Sequence, residues 1–452
     1  MIDLAAHDID PLLPLPVALL VKLIRFGCVN SGENHTSPGG ERPAAEWVAG
    51  VLRAAGYEPQ VLARPDAPER ANVVLRIPGS DAALPALLVH GHLDVVPADA
   101  TEWTVDPFGG TIDDGYVIGR GSVDMLYTVA GMMAIALNWA EAGLKPRRDI
   151  VLAFVADEES GGECGARFLV EQHPELFAGC AAAIGEDGAA ATPAIRADGR
   201  AITLYPIACA ERGAIFMKLT AAGAAGHGSR PTADNAIGRL IDALYRLAHH
   251  GWPLQLSPVV EAQLRASADA LGMTVDVHDE ASVQAVIDQL GDAAGALRWT
   301  IRVSSTPTLL DAGYKVNVIP GVATAQADVR FPPGGLESTL AELARLIGPD
   351  VQWSYPDQGQ PPQADPGSSW FAAMSDAIRR ADPGGIVVPY CMGGSSDARS
   401  FATLGMQCYG FTPLTLDPQG RRPTGIHVVD ERVPVASVVG GYAVLKDFLQ
   451  TV

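Results

Sequence analysis

The sequence lacks the motifs of several common enzyme classes. The nucleophile elbow G-x-S-x-G of many serine hydrolases does not occur. Neither the phosphate-binding motif G-x-x-x-x-G-K nor the dinucleotide motif G-x-G-x-x-G is present, and H-E-x-x-H is missing as well. These absences argue against a serine hydrolase, a nucleotide-dependent enzyme and the common single-zinc protease helix.

Positive charge is scarce. Of 452 residues, 32 are Lys or Arg and 52 are Asp or Glu, which gives a formal net charge of −20. Such a chain repels phosphate backbones, so no nucleic-acid partner is expected. Because 48% of the residues are hydrophobic, a large core is available. The length suits two or three domain-sized units.

Paired cysteines and long apolar runs are also missing. The six cysteines are scattered without a C-x-x-C pair, which is typical of reduced thiols rather than of a disulfide framework. The apolar stretch from Leu12 to Leu20 is short, is interrupted by Pro14 and Pro16, and follows no basic segment. It predicts neither a signal peptide nor a membrane span, so we expect a cytoplasmic protein without membrane contact.

Apolar runs alternate with helix-like stretches in the first part of the chain. Three near-continuous runs predict strands buried on both faces: Ala86 to Val89, Ile150 to Ala156 and Ala181 to Ile184. Helices are predicted at Ala44 to Ala55 and at Tyr127 to Ala142. This alternation predicts an α/β sheet.

The pattern changes near residue 208. Strands are predicted at Ala214 to Thr220, Ile301 to Val303 and Ala323 to Arg330, and a helix at Ala236 to His249. The Ala-rich segment from Leu254 to Leu297 is predicted to be helical, with no role assigned. We therefore divide the chain into segment 1–209, an inserted α+β domain 210–352, and segment 353–452, which returns to the first domain.

Polar side chains with metal-binding chemistry follow each of the three buried strands. His92 and Asp94 follow the first strand, Glu158 and Glu159 the second, and Glu186 the third. Ligands gather at the carboxyl ends of strands in α/β sheets, so these side chains are expected to converge. Zinc binds His nitrogen and carboxylate oxygen, and two zinc ions about 3.5–4 Å apart can share one carboxylate.

Each motif also has a simpler explanation. His92 is either a metal ligand or a structural core histidine. As a ligand it could be oriented by Asp94, since residues i and i+2 of a strand share a face and the Asp94 carboxylate can hydrogen-bond the non-ligating nitrogen. Asp124, which ends Gly-Arg-Gly-Ser-Val-Asp, is either a ligand or the N-cap of the next helix. The acids from Asp157 to Glu159 form either a solvated charge run or a cluster that needs a cation. His427 is a weak candidate by itself.

In order and spacing, from about residue 40 to 435, these motifs resemble one family. It comprises zinc aminoacylases, carboxypeptidase G-type enzymes, acetylornithine deacetylases and succinyl-diaminopimelate desuccinylases. The resemblance implies a catalytic domain, formed by 1–209 and 353–452, with a mixed central sheet flanked by helices. It also implies that 210–352 is a lid domain through which two chains can form a homodimer.

The resemblance further implies two Zn2+ per chain, with Co2+ or Mn2+ as possible substitutes. The implied ligands are His92, Asp124 and Glu186 for one ion and Asp124, Glu159 and His427 for the other. Glu158 is the implied general base and Asp94 orients His92. Asp187 is an alternative to Glu186, since a slip of one residue would exchange them.

Lid residues match positions that act on the substrate in the family. His227, in Ala-Gly-His-Gly-Ser, matches a histidine that stabilises the oxyanion, often from the partner subunit; an ordinary loop histidine is the alternative. Asn317 and Arg330 match positions that hold a substrate carboxylate, although Arg330 could instead pair with a neighbouring acid. The glycine-rich loop containing Gly393, Gly394 and Ser395 resembles a substrate loop whose backbone N–H groups meet an anion.

The implied activity is hydrolysis of the amide bond of a dipeptide or an N-acyl amino acid, and the sequence does not separate these substrates. The alternative is a catalytically silent metal-binding or scaffold protein on the same fold. The intact Glu158 and the five intact ligands argue against this alternative. One departure from the family lies after Asp124, where many relatives have lysine and this chain has Leu126.

Overall fold

A computed structural model describes residues 5–32, 40–356 and 359–452. Its strands, in chain order, are β1 (Gln60–Ala63), β2 (Ala71–Ile77), β3 (Ala86–His92), β4 (Thr111–Asp113), β5 (Tyr116–Ile118), β6 (Ile150–Val155), β7 (Cys180–Gly185), β8 (Thr192–Ile195), β9 (Ala201–Glu211), β10 (Gly213–Ala222), β11 (Gly226–His227), β12 (Ser304–Ala312), β13 (Val318–Ile319), β14 (Val322–Phe331), β15 (Val351–Ser354), β16 (Ile386–Met392), β17 (Gln407–Gly410) and β18 (Arg432–Pro434).

The α-helices are α1 (Leu15–Ile24), α2 (Arg42–Ala54), α3 (Leu126–Ala142), α4 (Ala166–Gln172), α5 (Ala236–Ala248), α6 (Pro258–Leu271), α7 (Glu280–Leu290), α8 (Leu297–Thr300), α9 (Leu336–Ile347), α10 (Ser369–Ala381), α11 (Ala398–Ala402) and α12 (Val435–Thr451). Within the described ranges, none of these helices has both the length and the hydrophobicity that a bilayer span requires.

The chain divides into two compact units. The first comprises Met1–Cys209, Ala364–Pro389 and Ser396–Val452, and the second comprises Ala210–Gln363 and Tyr390–Ser395. The second unit thus continues beyond residue 352 and includes a short piece of the segment assigned to the first domain from sequence. Gln363, the last residue of the longer segment, forms an isolated antiparallel β-bridge with Ala210, its first residue.

A nine-stranded mixed sheet forms the centre of the first unit. Its order is β1-β2-β6-β3-β7-β17-β9-β16, with β8 paired to β9. The four central strands β6, β3, β7 and β17 run parallel, and β1, β2 and β9 join antiparallel. Every residue of β3 and β6 is buried, which accounts for their continuous apolar sequence.

Helices cover both faces of this sheet. Neighbouring residues of β3 point to opposite faces: the His90 ring lies 4.8 Å from the Phe401 ring of α11, while Gly91 faces Val129 of α3. Helices α1, α3 and α12 pack on one another, and α11 packs on β7 and β17. The predicted α/β class, with a mixed central sheet flanked by helices, is confirmed.

A small second sheet in this unit joins distant parts of the chain. Strand β18 pairs antiparallel with β5, so that Val433 lies opposite Val117. The sheet therefore brings the loop before β18, which carries His427, to the loop after β5, which carries Asp124. The N–H of Gly119 donates to the Glu431 carbonyl across this junction at 2.9 Å.

The second unit is built on a four-stranded antiparallel sheet of order β12-β14-β10-β15. Side chains of one face, such as Ile215 and Val329, form a core with Leu240 of α5 and Leu343 of α9. The strand predicted at Ile301 to Val303 is wrong: these residues follow α8 as a turn, and β12 begins at Ser304. Their apolar side chains are buried without strand pairing.

Candidate metal centre

The central parallel strands deliver the predicted acids and His92 to one edge of the sheet. Strand β3 ends at His92, and Glu186 directly follows β7. After β6, Asp157 adopts a left-handed conformation with φ of 68° and leads into a 3-10 turn, Glu158–Ser160. Parallel strands share the direction of their carboxyl ends, which explains this convergence.

His92, Asp124 and Glu186 form the first group of candidate ligands. The His92 ring is buried, and its Nε2 lies 3.1 Å from Asp124 Oδ1 and 4.0 Å from Glu186 Oε2. One potential ligand atom from each residue lies within 4.8 Å of the others. Asp187, the alternative to Glu186, instead accepts a hydrogen bond from the N–H of Gly188 at 2.7 Å.

Asp124, Glu159 and His427 form the second group. Asp124 Oδ2 lies 3.3 Å from His427 Nε2, and the same nitrogen lies 3.3 Å from Glu159 Oε1. Asp124 therefore presents one oxygen to each group. Glu158 belongs to neither group, although it precedes Glu159 directly.

Electrostatics indicate that this cluster needs positive charge. Burial raises the pKa of Glu186 well above its usual value, and the nearby Glu158 and Asp124 charges raise it further. Hydrogen bonds to Asp124 and Glu159 raise the pKa of His427 to about 10. Crowded carboxylates with imidazole nitrogens between them are the donor set that Zn2+ and similar divalent cations take, so the residues fit such ions.

Asp94 differs from the sequence prediction in its hydrogen bonds. His92 Nδ1–H donates to the backbone carbonyl of Asp94 at 2.8 Å, while the Asp94 carboxylate is 3.6 Å away. That carboxylate accepts instead from the backbone N–H groups of Glu158 and Glu159, both at 3.2 Å. The carbonyl bond still fixes the proton on Nδ1 and leaves Nε2 free to bind a metal.

A protein-family model for peptidase family M20/M25/M40 matches residues 88–451, which is more than half of the chain. The chain belongs to this family. The family resemblance recognised in the sequence is confirmed, and the chain is a metal-dependent hydrolase.

Individual relatives are distant. The N-fatty-acyl-amino acid synthase/hydrolase PM20D1 of Xenopus tropicalis is 26% identical over 367 residues, covering 80% of this chain and 71% of the relative. The probable carboxypeptidase S-like 2 of Dictyostelium discoideum is 28% identical over 381 residues, covering 82% and 71%. The M20 metallo-carboxypeptidase Sso-CP2 of Sulfolobus solfataricus is similar in fold, with a TM-score of 0.69 at 15% identity over 97% of this chain and 99% of that chain.

Sequence reasoning missed Glu431 and Arg120, which join the two loops of the centre. Glu431 Oε1 accepts from the N–H groups of Val123 and Asp124 at 2.7 and 3.1 Å. Its other oxygen lies 2.6 Å from Arg120 Nη1, which also donates to the Val428 carbonyl at 3.2 Å. Glu431 is fully buried, but in the sequence it is one acid among many and carries no signal of this role.

Within the second unit, His227 and Asn317 come together. Strand β11 pairs with β13 so that His227 lies opposite Val318, and the Gly228 N–H donates to the Asn317 carbonyl at 2.9 Å. The His227 side chain is exposed, and its Nδ1 accepts from the Ser229 N–H at 3.2 Å.

Arg330 is already paired in the structure. Its Nε and Nη2 donate to the two Asp328 carboxylate oxygens at 2.7 and 3.1 Å. Its guanidinium also lies over the Phe216 ring, 5.1 Å from the centroid. The neighbouring-acid alternative therefore describes the geometry, because Asp328 binds the Nε–Nη2 side of the guanidinium.

The loop of Gly393, Gly394 and Ser395 contacts the helical segment 254–297, to which the sequence assigned no role. The Gln263 side chain of α6 is buried, and its Oε1 accepts from the Cys391 N–H at 3.3 Å. A Cβ atom at Gly393 would lie 3.3 Å from the Ala296 side chain, whereas Gly394 has open space around it. The segment 254–297 thus packs beneath the loop that carries Gly393, Gly394 and Ser395.

Leu126, which replaces the lysine of many relatives, is a core residue here. It begins α3 and is 2% exposed. Gly121 has φ of 87°, and a Cβ atom there would lie 2.7 Å from the Leu126 side chain. The apolar residue therefore packs under the turn that leads to Asp124.

Proposed function

We propose that this chain hydrolyses the amide bond of an N-acyl amino acid or a dipeptide, using two bound divalent cations. The observation that carries the proposal is the pair of ligand groups that share Asp124. Glu158, which directly precedes Glu159, belongs to neither group, so its carboxyl group is available for proton transfer. The names of the two relatives support an amide substrate, since one is an N-fatty-acyl-amino acid synthase/hydrolase and the other a probable carboxypeptidase S-like protein.

In this proposal the two groups would hold one ion each, and Asp124 would contribute to both. His92 and Glu186 complete the first site, and Glu159 and His427 complete the second. Zn2+ is the proposed ion, with Co2+ or Mn2+ as substitutes, because imidazole and carboxylate ligands accept all three. When bound, such cations supply Lewis acidity at the scissile carbonyl and lower the pKa of water.

Glu158 is the proposed general base. Burial raises the pKa of its carboxyl group well above the usual value, an effect that the His92 charge opposes and the Asp397 charge reinforces. The Glu158 carboxylate takes a proton from the attacking water and passes it to the leaving nitrogen. Asp94 is a positioning residue, because it holds the backbone amides of Glu158 and Glu159.

The lid assignments rest on the family resemblance. We propose that His227 stabilises the oxyanion, and that Asn317, Arg330 and the loop of Gly393, Gly394 and Ser395 bind the substrate carboxylate. For Arg330 the substrate would use the N–H groups of Nη1 and Nη2 that do not face Asp328. The six free cysteines suit a reducing compartment such as the cytoplasm.

A homodimer through the second unit is also proposed. Its support is the edge strand β12, which exposes Leu309 at 59% and Leu310 at 62%. An apolar edge strand is a template for pairing with another chain.

Mixed dimers of His227→Ala and Glu158→Ala chains should regain turnover if His227 acts across subunits. A fully active monomer would contradict that arrangement.

Glu158→Gln tests the proposed reaction. Loss of a general base costs about 10²–10⁴-fold in turnover, and the variant should still bind two metal ions. Glu163→Gln is the matched control, because Glu163 lies in the same segment with a side chain 66% exposed. Turnover of Glu158→Gln equal to that of the control would contradict the role of Glu158.

A substrate panel separates the remaining alternatives. Short-chain and long-chain N-acyl amino acids and dipeptides should be compared at equal concentration, with products quantified by chromatography. Preference for one class would distinguish a deacylase from a dipeptidase. A chain that binds two metal ions but hydrolyses none of these compounds would support the silent scaffold instead.

A further inference from the structure

A buried polar cluster lies behind the proposed metal ligands. We call Asn30, Glu41, Arg70, Asp94 and Asp157 the Arg70 cluster. All five residues are buried, with exposed fractions of 2%, 1%, 7%, 0% and 6% in that order. Buried charges are costly unless they are paired and hydrogen-bonded, so such a cluster is expected to have a specific structural task.

Arg70 is the cation of this cluster. Its Nη1 donates to Glu41 Oε1 at 2.9 Å and to Asp157 Oδ1 at 3.0 Å. Its Nη2 donates to the side-chain oxygen of Asn30 at 3.1 Å. The guanidinium therefore holds two carboxylates and one amide in a fixed arrangement, which the planar fork of arginine allows and a lysine ammonium does not.

The contact with Asn30 fixes the orientation of its amide. Asn30 Oδ1 accepts from Arg70 and also from the Ser160 hydroxyl at 2.8 Å. The Asn30 NH2 group must then point the other way, where it donates to Asp94 Oδ2 at 2.8 Å and to Asp157 Oδ1 at 3.2 Å. A flipped amide would set oxygen against both carboxylates.

Two routes lead from Arg70 to the 3-10 turn of Glu158 and Glu159. In the first, Asn30 holds the Asp94 carboxylate, which accepts the N–H groups of Glu158 and Glu159 at 3.2 Å each. In the second, Arg70 holds the carboxylate of Asp157, whose φ of 68° turns the chain into these two residues. The Cys164 N–H donates to the other Asp157 oxygen at 2.9 Å.

We propose that Arg70 is a positioning residue of the metal centre, acting through Asn30 and Asp157 on the backbone that carries Glu158 and Glu159. This inference rests on the proposed function, because it assigns Glu159 to a bound cation and Glu158 to the proton transfer. The hydrogen bonds of Arg70 go to Glu41, Asp157 and Asn30, none of which is in either ligand group, so Arg70 acts through the Arg70 cluster.

The test replaces Arg70 by lysine, which keeps the charge and removes the fork. Arg76→Lys is the matched control: Arg76 lies in β2, pairs with Asp149 at 3.0 Å and donates to the Ala178 carbonyl at 2.7 Å. Three quantities are measured: urea unfolding of the metal-free chains, Co2+ affinity by competition with a chromophoric chelator together with the Co2+ absorption spectrum, and kcat and KM.

Metal-free Arg70→Lys should unfold at a lower urea concentration than Arg76→Lys, because the Arg70 ion pairs are buried and the Arg76 pair is one-third exposed, but it should be fully folded without urea. Loss of a group that orients metal ligands costs about 10–100-fold in metal affinity or activity, so Arg70→Lys should lose that much Co2+ affinity or kcat. Its Co2+ spectrum should change and its KM should not, whereas Arg76→Lys should match the wild type. A wild-type Co2+ affinity, spectrum and kcat in folded Arg70→Lys would overturn the inference.

Asn30→Ala provides an independent variant that leaves the ion pairs of Arg70 in place. It should lower Co2+ affinity in the same direction, and the double variant with Arg70→Lys should lose less than the product of the two single effects. Independent effects that multiply would overturn the route through Asn30. A wild-type chain that binds no Co2+ would instead contradict the proposed function, before any comparison of variants.

Discussion

Replacement of Glu431 tests how two loops distant in sequence are held at the metal centre. Glu431 accepts three hydrogen bonds, from the backbone of Val123 and Asp124 and from Arg120. The same arginine donates to the Val428 carbonyl, next to His427. Glu431→Ala removes the acceptor common to both loops, and we expect it to lower both stability and metal affinity.

The magnitude follows from burial. Arg120 and Glu431 side chains are 5% and 0% exposed, and breaking a buried ion pair by removal of one partner costs about 3–5 kcal/mol. Among the described residues, the Arg120 guanidinium would retain the Val428 and Pro97 carbonyls and the Trp103 ring, whose centroid is 5.3 Å away, but no carboxylate to balance its charge. Glu431→Gln keeps an oxygen for the two backbone N–H groups and loses a charged hydrogen bond, so it should cost about 1.5–3 kcal/mol.

The assay is urea unfolding of the metal-free chain, followed by metal content after dialysis against limiting Zn2+. Asp114→Asn is the control, because Asp114 pairs with Arg421 at 2.9 Å between the same two parts of the chain but is 82% exposed. Exposed pairs contribute about 0–1 kcal/mol. If Glu431→Ala unfolds like Asp114→Asn, or retains the metal content of the wild type, the reasoning is wrong.

Two further predictions concern pH and the glycine-rich loop. The pKa of His427 is raised from 6.5 to about 10, so its contribution to the stability of the metal-free chain is complete below pH 6.5 and is lost as the pH rises through about 10. Metal binding needs the unprotonated ring, so Zn2+ affinity should rise with pH between about 6.5 and 10. Urea unfolding checks the stability trend, and Zn2+ titrations check the affinity trend. The same pH dependence in His427→Gln would refute the assignment of His427 as a ligand. Gln263→Leu removes the acceptor of the Cys391 N–H and should raise KM several-fold, with kcat and metal content unchanged. Steady-state kinetics measure this. An unchanged KM would contradict a substrate role for the glycine-rich loop.

The sequence predicted the features that depend on local pattern and on general rules of α/β sheets. The apolar runs at β3, β6 and β7 marked strands covered by helices on both faces. The acids beyond these strands converge because parallel strands end at one edge of the sheet; this brings Glu186 near His92 and Glu159 into the second group, which shares Asp124 with the first. Such reasoning needs only the strand ends, which apolar runs locate within a few residues.

Contacts between distant segments could not be predicted in this way. Glu431 reaches Asp124 only because β18 pairs with β5, and no pattern near residue 431 indicates that pairing. The carboxylate of Asp94 turns away from His92 because Asn30, 64 residues earlier, holds it. The pairing of Arg330 with Asp328 was open at the sequence level, since alternate residues of a strand share a face and only coordinates show which partner is chosen.

The measurement that tests the central claim most directly is metal content by elemental analysis of the chain purified without chelator. It is paired with hydrolysis of N-acyl amino acids and dipeptides before and after chelation. The shared carboxylate of Asp124 predicts two divalent ions per chain, with hydrolysis that chelation abolishes and Zn2+ restores. Failure to bind metal after reconstitution, or hydrolysis that persists without metal, would contradict the account.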